Sequence, residues 1–283
     1  MEPGDIFAII ISHNGGEGVG ELARLLAADV GQVHVVDNQS GPETRATLRT
    51  LAAETGVTVD FLPENMGIAG ALNRGVARAL ASGKRWILTM DQDSRPDAGM
   101  ISAYCRAVRE HPERLCLSPR IRDHGTLRPV KRSVLEYAIT SGNLVHRSIY
   151  DRIGGYRDEL FIDGVDLDFS LRARRGGFAI HLVPDAVLGH QVGEARGAAA
   201  HLRFYTRHSP LRRYYMFRNL VYLVRHHSCR FPGFIMKLTA AHLILLGLIL
   251  VHDNNRASSC TWICRGLCDG ALGHFGRKDA AGG

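Results

Sequence analysis

The sequence predicts an α/β fold with a mostly parallel sheet. Short apolar runs alternate with segments of helical length through the first 120 residues, and polar residues follow each run. Continuous apolar runs are typical of parallel strands that are covered by helices on both faces. The predicted strands are 6–11, 33–37, 57–62 and 86–90, and the predicted helices are 19–29, 43–54 and 68–82.

Composition and charge indicate a folded chain with a distinct C-terminal part. The 283 residues are 45% hydrophobic and 22% charged, which excludes a largely disordered chain. The formal net charge is +7, and residues 195–252 hold nine Lys or Arg and no Asp or Glu. Such a block favours phosphate, nucleic acid or an anionic membrane surface as a partner. We predict a first domain over 1–200 and a helical, basic region over 201–283.

Polar side chains follow four predicted strands, at the point where each strand ends. Ligands of open parallel sheets bind beyond the carboxyl ends of the strands, so we expect these side chains to form one site. Asp37 is suited to accept hydrogen bonds from a ribose hydroxyl or a base N–H, and a role in the turn D-N-Q-S-G is the alternative. Gly67 allows close backbone approach at a helix start, where capping alone would also explain Asn65. Gly67 is a further candidate for donor binding, and the predicted rim comprises Ser12, His13, Asn14, Asp37, Asn38, Glu64, Asn65, Asp91, Gln92 and Asp93.

Two carboxylates one residue apart, Asp91 and Asp93, end the apolar strand WILTM. Hard oxygen ligands of this kind suit Mg²⁺ or Mn²⁺, and Mg²⁺ typically takes one or two carboxylates and completes its coordination with water and phosphate oxygens. A solvated turn before Pro96 is the alternative. We interpret the pair as a metal and diphosphate site.

Several longer motifs occur together in this chain: VVDNQSG (35–41), PENMGIAGALNRGVARAL (63–80), WILTMDQDSRP (86–96), TSGNLVHRSIYDRIGGYRDELFIDGVDLDFSLRARRGGF (140–178), LRRYYMFRN (211–219) and RGLCDGALGHFGRK (265–278). Together they resemble the inverting GT-A glycosyltransferases of family 2, in particular their bacterial rhamnosyltransferase branch. The resemblance implies a GT-A nucleotide-diphospho-sugar transferase fold. It also implies a sugar nucleotide donor, dTDP-rhamnose, and a lipid-linked glycan acceptor in cell-surface polysaccharide biosynthesis, as for O-antigen.

The same resemblance assigns roles to acidic residues. It implies that Asp37 holds the nucleotide, that Asp91 and Asp93 form the D-x-D motif, and that Asp166 is the catalytic base. Many relatives carry Glu-Asp at this point, whereas this chain has Val165 before Asp166, so Asp163 is a rival for the base.

The motif D-G-V-D-L-D predicts a helix start with Asp163 as the N-cap and Asp166 as the third helical residue. Asp168 and Arg172 are four residues apart and are expected to pair. His190 follows the predicted strand AIHLVP, and the resemblance implies that it completes the metal coordination, which would suit Mn²⁺ better than Mg²⁺. A structural role is its alternative, and the other His residues, including His226 and His227, have no comparable context.

The C-terminal region suggests a membrane surface. Residues 234–251 are nearly long enough to span a bilayer, but Lys237 and His242 interrupt them. We predict an amphipathic helix on the cytoplasmic leaflet beside a polybasic segment, with a core or homodimer helix as the alternative. The basic residues alternate with aromatic ones, a pattern that is also typical of nucleic-acid binding, but no fold signature for nucleic acid accompanies them. The interleaved residues are Arg203, Phe204, Tyr205, Arg207, Arg212, Arg213, Tyr214, Tyr215, Phe217, Arg218, Tyr222 and Arg225.

The chain opens with MEPGDIFAIIISHN, which has no signal-peptide pattern, so we expect a cytoplasmic protein with free thiols. Cys260, Cys264 and Cys268 are four residues apart but lack paired C-x-x-C spacing and a clear fourth ligand, so we interpret them as small apolar packing residues rather than a zinc site.

Three other functions are alternatives. One is transfer of a different sugar, such as galactofuranose, and the second is a non-catalytic membrane-surface scaffold, which predicts no nucleotide affinity. The third, a sugar-nucleotidyltransferase, lacks a Gly-rich, Lys-containing loop after the first strand.

Overall fold

The computed structural model describes residues 1–123, 125–190 and 208–278. The chain divides into two compact units, one formed by Met1–Tyr156 and Phe169–Gln191 and the other by Arg157–Asp168 and Val192–Gly283. The segment Arg157–Asp168, which we expected within the first domain, therefore packs with the C-terminal helices. The boundary near residue 200 stays a prediction, because 191–207 lie outside the described residues.

The first unit is built on a single sheet that contains all ten strands of the described residues, in the order β3-β2-β1-β4-β9-β6-β10-β5, with β7 beside β6 and β8 beside β10. The strands are β1 (Ile6–Ser12), β2 (Gln32–Asp37), β3 (Thr58–Phe61), β4 (Trp86–Asp91), β5 (Ser94–Pro96), β6 (Cys116–Asp123), β7 (Thr126–Leu127), β8 (Val134–Leu135), β9 (Asn143–His146) and β10 (Ile180–His190). The helices of this part of the chain are α1 (Gly16–Asp29), α2 (Pro42–Glu54), α3 (Gly67–Ala81), α4 (Met100–Glu110), α5 (Arg147–Ile153) and α6 (Val165–Arg175). Short 3₁₀ turns occupy Pro3–Asp5 and Asp158–Leu160.

The predicted α/β fold class and the alternation of its elements are confirmed. β1 is buried along its whole length and is parallel to both β2 and β4, which explains its unbroken apolar sequence. The order β3-β2-β1-β4 is that of a mononucleotide-binding half of a doubly wound sheet.

The other half of the sheet was not predicted beyond the strand AIHLVP. β9 is antiparallel to both β4 and β6, whereas β6 and β10 run parallel to each other. β6 therefore points in the same direction as β4. The carboxyl ends of β4, β6 and β10 reach the same edge of the sheet. β10 is also longer than expected and runs on through His190.

The second unit contains three long helices, α7 (Pro210–His227), α8 (Pro232–His252) and α9 (Arg256–Leu272). The backbones of α7 and α9 approach closely at Gly266, where a Cβ atom would lie 2.5 Å from the carbonyl oxygen of Tyr214. α8 contributes Leu245 and Ile249 to a small core with Phe217 and Ile263.

Two expectations for this unit are wrong. α8 is apolar on its outer face as well, because the side chains of Met236, Leu243, Ile244, Leu250 and Val251 are all exposed, so it is not the amphipathic helix that we expected. Of its 21 residues only Ile235, Leu245 and Ile249 are buried, so it is not a buried core helix either. The free cysteines Cys264 and Cys268 are exposed rather than packed, because the inward face of α9 carries its glycines.

Candidate active site

The predicted rim is present in the first unit. The register of the parallel strands pairs Ser12 with Asp37 and Ile11 with Asp91, so three of the four predicted strand ends lie side by side. Asp37 in turn pairs with Phe61, and the segment that contains Asn65 and Gly67 follows that strand. The sheet therefore brings the predicted polar residues to one edge.

The loops of the rim are cross-linked by the side chains of Asn38, which belongs to the predicted rim, and Gln39, which does not. The amide of Asn38 donates to Asn65 Oδ1 at 3.1 Å and to the Gly67 carbonyl at 3.2 Å, and its oxygen accepts from the Met66 amide at 2.9 Å. Gln39 spans the same two loops, since its amide donates to the Pro63 carbonyl and its oxygen accepts from the Asn65 amide. Gln39 was not predicted, although its place just after Asn38 at the end of β2 is a signal that points to it.

The loop after β1 is fastened in the same way. Asn14 has a positive φ of 56°, and its Oδ1 accepts from the Gly41 amide at 2.8 Å. Ser12 Oγ is fully buried and has no hydrogen-bond partner among the described residues. A buried hydroxyl of this kind is costly unless something binds it, so Ser12 supports a ligand at this edge.

Asp37 is fully buried, and its carboxylate accepts hydrogen bonds from the Ser40 amide at 3.2 Å and from Arg45 Nε at 3.0 Å. These contacts fix the turn D-N-Q-S-G, which is the alternative role that the sequence left open. The carboxylate holds its loop in place whether or not it also contacts a nucleotide, and that contact stays a prediction.

The turn that carries Asp91 and Asp93 is held by two serines. The Asp91 amide donates to Ser141 Oγ at 3.0 Å, and that hydroxyl donates to Ser94 Oγ at 2.7 Å. Ser141 lies in the motif TSGNL, whose Gly142 has φ 77° and would place a Cβ atom 2.6 Å from Pro119. Burial, and after it the neighbouring Asp93 carboxylate, raise the pKa of Asp91 to about 7.

This pair of carboxylates fits a divalent cation. The raised pKa of Asp91 reflects negative charge that is crowded into a poorly solvated place, and a bound cation would offset that charge. Within 1–123, 125–190 and 208–278, no group of three or more His, Cys, Asp or Glu side chains is placed to hold a metal ion. Two carboxylates that share the cation with phosphate oxygens remain compatible with this finding. The side chain of His190 lies outside the described residues, so its metal role stays a prediction.

The candidate bases lie in the second unit. α6 begins at Val165, so Asp166 is its second residue, and Asp163 precedes the helix with a positive φ of 64°. The predicted N-cap role of Asp163 is therefore wrong, because the chain takes a left-handed turn through Asp163 and Gly164 before the helix starts. The carboxylate of Asp163 instead binds Arg212, whereas Asp166 Oδ1 accepts from the Leu167 amide at 2.9 Å.

Residues of α7 hold this turn. The side-chain amide of Asn219, which is 1% exposed, donates to the carbonyls of Leu160, Ile162 and Asp163 at 2.7–2.9 Å. Arg218 is buried beside it and donates to the carbonyls of Glu159, Leu160 and Gly276. The motif LRRYYMFRN thus fixes the backbone that leads into the helix of Asp166.

A second buried contact links α6 to α7. His227 Nε2 lies 2.9 Å from Asp168 Oδ1, and both side chains are at most 2% exposed. His227 had no context in the sequence, because its partner is 59 residues away. Arg172, the partner expected for Asp168, donates to the carbonyls of Ile153 and Gly155 in the first unit.

The basic residues that the structure describes between 208 and 252 are only partly exposed. Arg213 binds Asp253 and Ser259, and both Arg213 and Arg218 are 1% exposed, so the expectation that they face a membrane is wrong. The aromatic residues Tyr214, Tyr215, Phe217 and Tyr222 are also buried, so none of these four presents a face for stacking on a base. Arg203, Phe204, Tyr205 and Arg207 lie outside the described residues.

The fold is that of GT-A glycosyltransferases. The mannosyltransferase PcManGT from Pyrobaculum calidifontis, in complex with GDP-Man and Mn²⁺, matches 97% of this chain and 87% of its own with a TM-score of 0.61 and 16% identity. TarS 1-349 from S. aureus, in complex with UDP-GlcNAc, matches 96% of this chain and 73% of its own with a TM-score of 0.57 and 15% identity.

The sequence defines the family. The model of the family described as Glycosyl transferase family 2 matches residues 7–159, more than half of the chain. The chain is also 29% identical over 245 residues to the dTDP-rhamnosyl transferase RfbF of Shigella flexneri, which covers 78% of this chain and 80% of that protein. The chain belongs to glycosyl transferase family 2 and is a glycosyltransferase, as the motifs predicted.

Proposed function

We propose that the protein transfers L-rhamnose from dTDP-rhamnose to a lipid-linked glycan acceptor. The observation that carries the donor is the 29% identity to a dTDP-rhamnosyl transferase over most of both chains. The sugar-nucleotide complexes of its structural neighbours support a nucleotide diphosphate at the rim of the first unit. Asn38, Gln39 and Asn65 would keep that rim in shape for the nucleoside.

Asp91 and Asp93 would hold a Mg²⁺ or Mn²⁺ ion, with His190 as the further ligand. When bound, such an ion offsets the negative charge of the departing nucleotide diphosphate. The Mn²⁺ in the PcManGT complex supports the use of a divalent cation. Ser141 and Ser94 contribute by fixing the turn between the two carboxylates.

Asp166 would take the proton of the acceptor hydroxyl as that oxygen attacks the anomeric carbon, with inversion of configuration. It lies in the first turn of α6, where the helix dipole favours its ionised form. Its strength as a base therefore has to come from position, because the hydroxyl loses its proton only as attack proceeds. Asp163 is the alternative base, but its carboxylate is already bound to Arg212.

The C-terminal unit would place the enzyme on the cytoplasmic face of the inner membrane as a peripheral protein. α8 is the one helix of the described residues that is long and apolar enough to cross a membrane, with 21 residues. Its exposed apolar face would enter the leaflet, and the exposed cations Arg230 and Lys237 would contact anionic headgroups.

A donor screen tests the proposal. The purified protein is mixed with dTDP-rhamnose, UDP-galactofuranose or GDP-mannose, with and without Mn²⁺, and release of the nucleotide diphosphate is measured. We expect metal-dependent turnover with dTDP-rhamnose above the others. Preference for UDP-galactofuranose would establish the alternative sugar, and no nucleotide binding at all would favour the non-catalytic scaffold.

A further inference from the structure

A pocket of about 490 Å³ opens in the first unit between β6 and the segment 128–139. None of the residues that line it belongs to the predicted rim. Its volume lies in the range of small-molecule sites, which is about 300–1,000 Å³.

The charge of the pocket is strongly positive. Four of its lining side chains are cationic, and Glu136 is the one acidic residue among them. The cationic residues are Arg120, Arg128, Lys131 and Arg132. Arg128 is paired with Asp123 at 3.0 Å, whereas Lys131 and Arg132 are exposed and form no ion pair with the described residues. The unpaired cations are therefore available to an anionic ligand.

Apolar side chains accompany these charges. In the sequence TLRPVKRSVLEY, the exposed residues Leu127, Val130, Val134 and Tyr137 alternate with the cations. Val134 and Tyr137 line the pocket itself. A ligand that fits both features carries an anionic group and an adjoining apolar chain.

The pocket lies beside the turn that carries Asp93. Its residue Ile121 pairs with Leu188 of β10, and Leu188 pairs with Pro96 of β5, three residues after Asp93. Two strand spacings, about 10 Å, therefore separate Ile121 from Pro96. A second connection runs through Pro119, which lines the pocket and packs against Gly142, next to the serine that binds the Asp91 amide.

We propose that this pocket binds the phosphoryl group of the acceptor, with the first part of its lipid along Val134 and Tyr137. This inference rests on the proposed function, in which the acceptor is lipid-linked. A membrane surface would need the same charges but no cavity, so a single molecule bound in the pocket explains more of the structure. Lys131 and Arg132 would donate charge-assisted hydrogen bonds to the phosphoryl oxygens.

The test is a binding titration with farnesyl diphosphate in the presence of a chelator, where the donor site is expected to bind diphosphate weakly. We expect binding that the double variant Lys131→Gln, Arg132→Gln weakens about tenfold or more, because hydrogen bonds to charged groups are lost. Val134→Asn, which removes apolar surface without adding a charge, should weaken farnesyl diphosphate but not inorganic pyrophosphate. Metal-dependent dTDP binding by both variants should equal that of the unchanged protein and verifies their fold.

The matched control is Arg106→Gln, Arg109→Gln, which removes two exposed positive charges from α4 of the same unit and should leave farnesyl diphosphate binding unchanged. Equal affinity for inorganic pyrophosphate and farnesyl diphosphate would overturn the proposed contact with the lipid. The pocket would then be a site for free phosphate or diphosphate. Equal loss in the α4 control, or no binding of either probe, would overturn the proposal. These outcomes do not depend on donor turnover, so they are distinguishable from failure of the donor screen.

Discussion

Arg212 binds the carboxylate of Asp163 through two nitrogens, with Nη2 at 3.1 Å from Oδ1 and Nε at 3.2 Å from Oδ2. An arginine that holds a carboxylate in this way engages both of its oxygens in charge-assisted hydrogen bonds. Asp166 makes a local contact instead, since its Oδ1 accepts a hydrogen bond from the Leu167 amide at 2.9 Å. The two candidate bases are thus separated by their contacts, although the sequence placed them three residues apart in similar surroundings.

We predict that Asp166→Asn lowers kcat by about 10²–10⁴ while dTDP affinity in the presence of Mn²⁺ is unchanged, because only general-base catalysis is lost. Asp163→Asn should lower kcat much less, since its partner Arg212 can still bind the amide oxygen. Steady-state kinetics and calorimetry on both variants check this. The reverse pattern would make Asp163 the base.

Removal of a carboxylate charge from the D-x-D turn should weaken binding of the nucleotide in the presence of metal. We predict that Asp91→Asn and Asp93→Asn each weaken metal-dependent dTDP binding about tenfold or more, since each removes a charged oxygen ligand. Asp29→Asn, an exposed carboxylate on α1, is the control for net charge and should bind normally. Full affinity in both variants, or in excess chelator, would contradict the metal assignment.

The stability of the metal-free protein should fall as pH rises. The folded pKa of Asp91 is about 7, above its ordinary value of 3.8, so the folded state binds this proton more tightly than the unfolded state does. The stabilisation is therefore fully present below about pH 4 and is lost as pH rises through 7, with a change of about 1–3 kcal/mol. Urea unfolding in the presence of a chelator measures this change in the free energy of unfolding. The free energy of unfolding of Asp91→Asn should depend less on pH over the same range. A parallel pH dependence in the two proteins would refute the expectation.

The contact of His227 with Asp168 should matter for stability. His227→Ala deprives a buried carboxylate of a partner, so we predict a loss of about 2–4 kcal/mol in the free energy of unfolding. The adjacent His226 is exposed and serves as the matched control, with a change for His226→Ala of about 0.5 kcal/mol or less. Urea denaturation of the unchanged protein and the two variants measures these changes. Equal losses of unfolding free energy in both variants would show that the contact between His227 and Asp168 adds no stability of its own.

The outer face of α8 should bind lipid. We predict that the protein sediments with anionic liposomes at low salt, that salt weakens this association, and that deletion of residues beyond 200 abolishes it. Leu243→Glu with Ile244→Glu should lower binding several-fold, whereas Leu25→Glu on α1, which is also an exposed apolar residue, should not. Resistance to salt and to alkaline extraction would indicate a spanning helix, and indifference to anionic lipid would leave the homodimer helix.

The first half of the sheet was predictable because each of its elements has a local signal. Strands such as β1 are buried on both faces, and their sequences are short, apolar without a break and rich in β-branched residues, which together separate them from the longer helical segments. The rim was predicted from the carboxyl ends of those strands. The register of β1 with β2 and β4 places Ser12, Asp37 and Asp91 side by side, as expected.

The rest depends on contacts between distant residues. The antiparallel strand β9 has only four residues, and its position between β4 and β6 follows from pairing rather than from its own sequence. The turn at Asp163 and Gly164 looks like an ordinary helix cap in the sequence, and the amide of Asn219 that holds it lies 56 residues away. Ser141 was missed for the same reason, since it acts 50 residues from Asp91.

The contacts of Arg218 and Gly276 also have a consequence for biosynthesis. The Gly276 amide donates to the Glu159 carbonyl at 2.8 Å, and Arg218 joins the same two segments. During translation the sheet with its rim can close long before residue 276 leaves the ribosome, whereas the segment that leads into the helix of Asp166 must wait for it. A nascent chain would therefore form the proposed nucleotide site before the proposed base is fixed, and a product that stops short of this point is expected to bind donor without transferring its sugar.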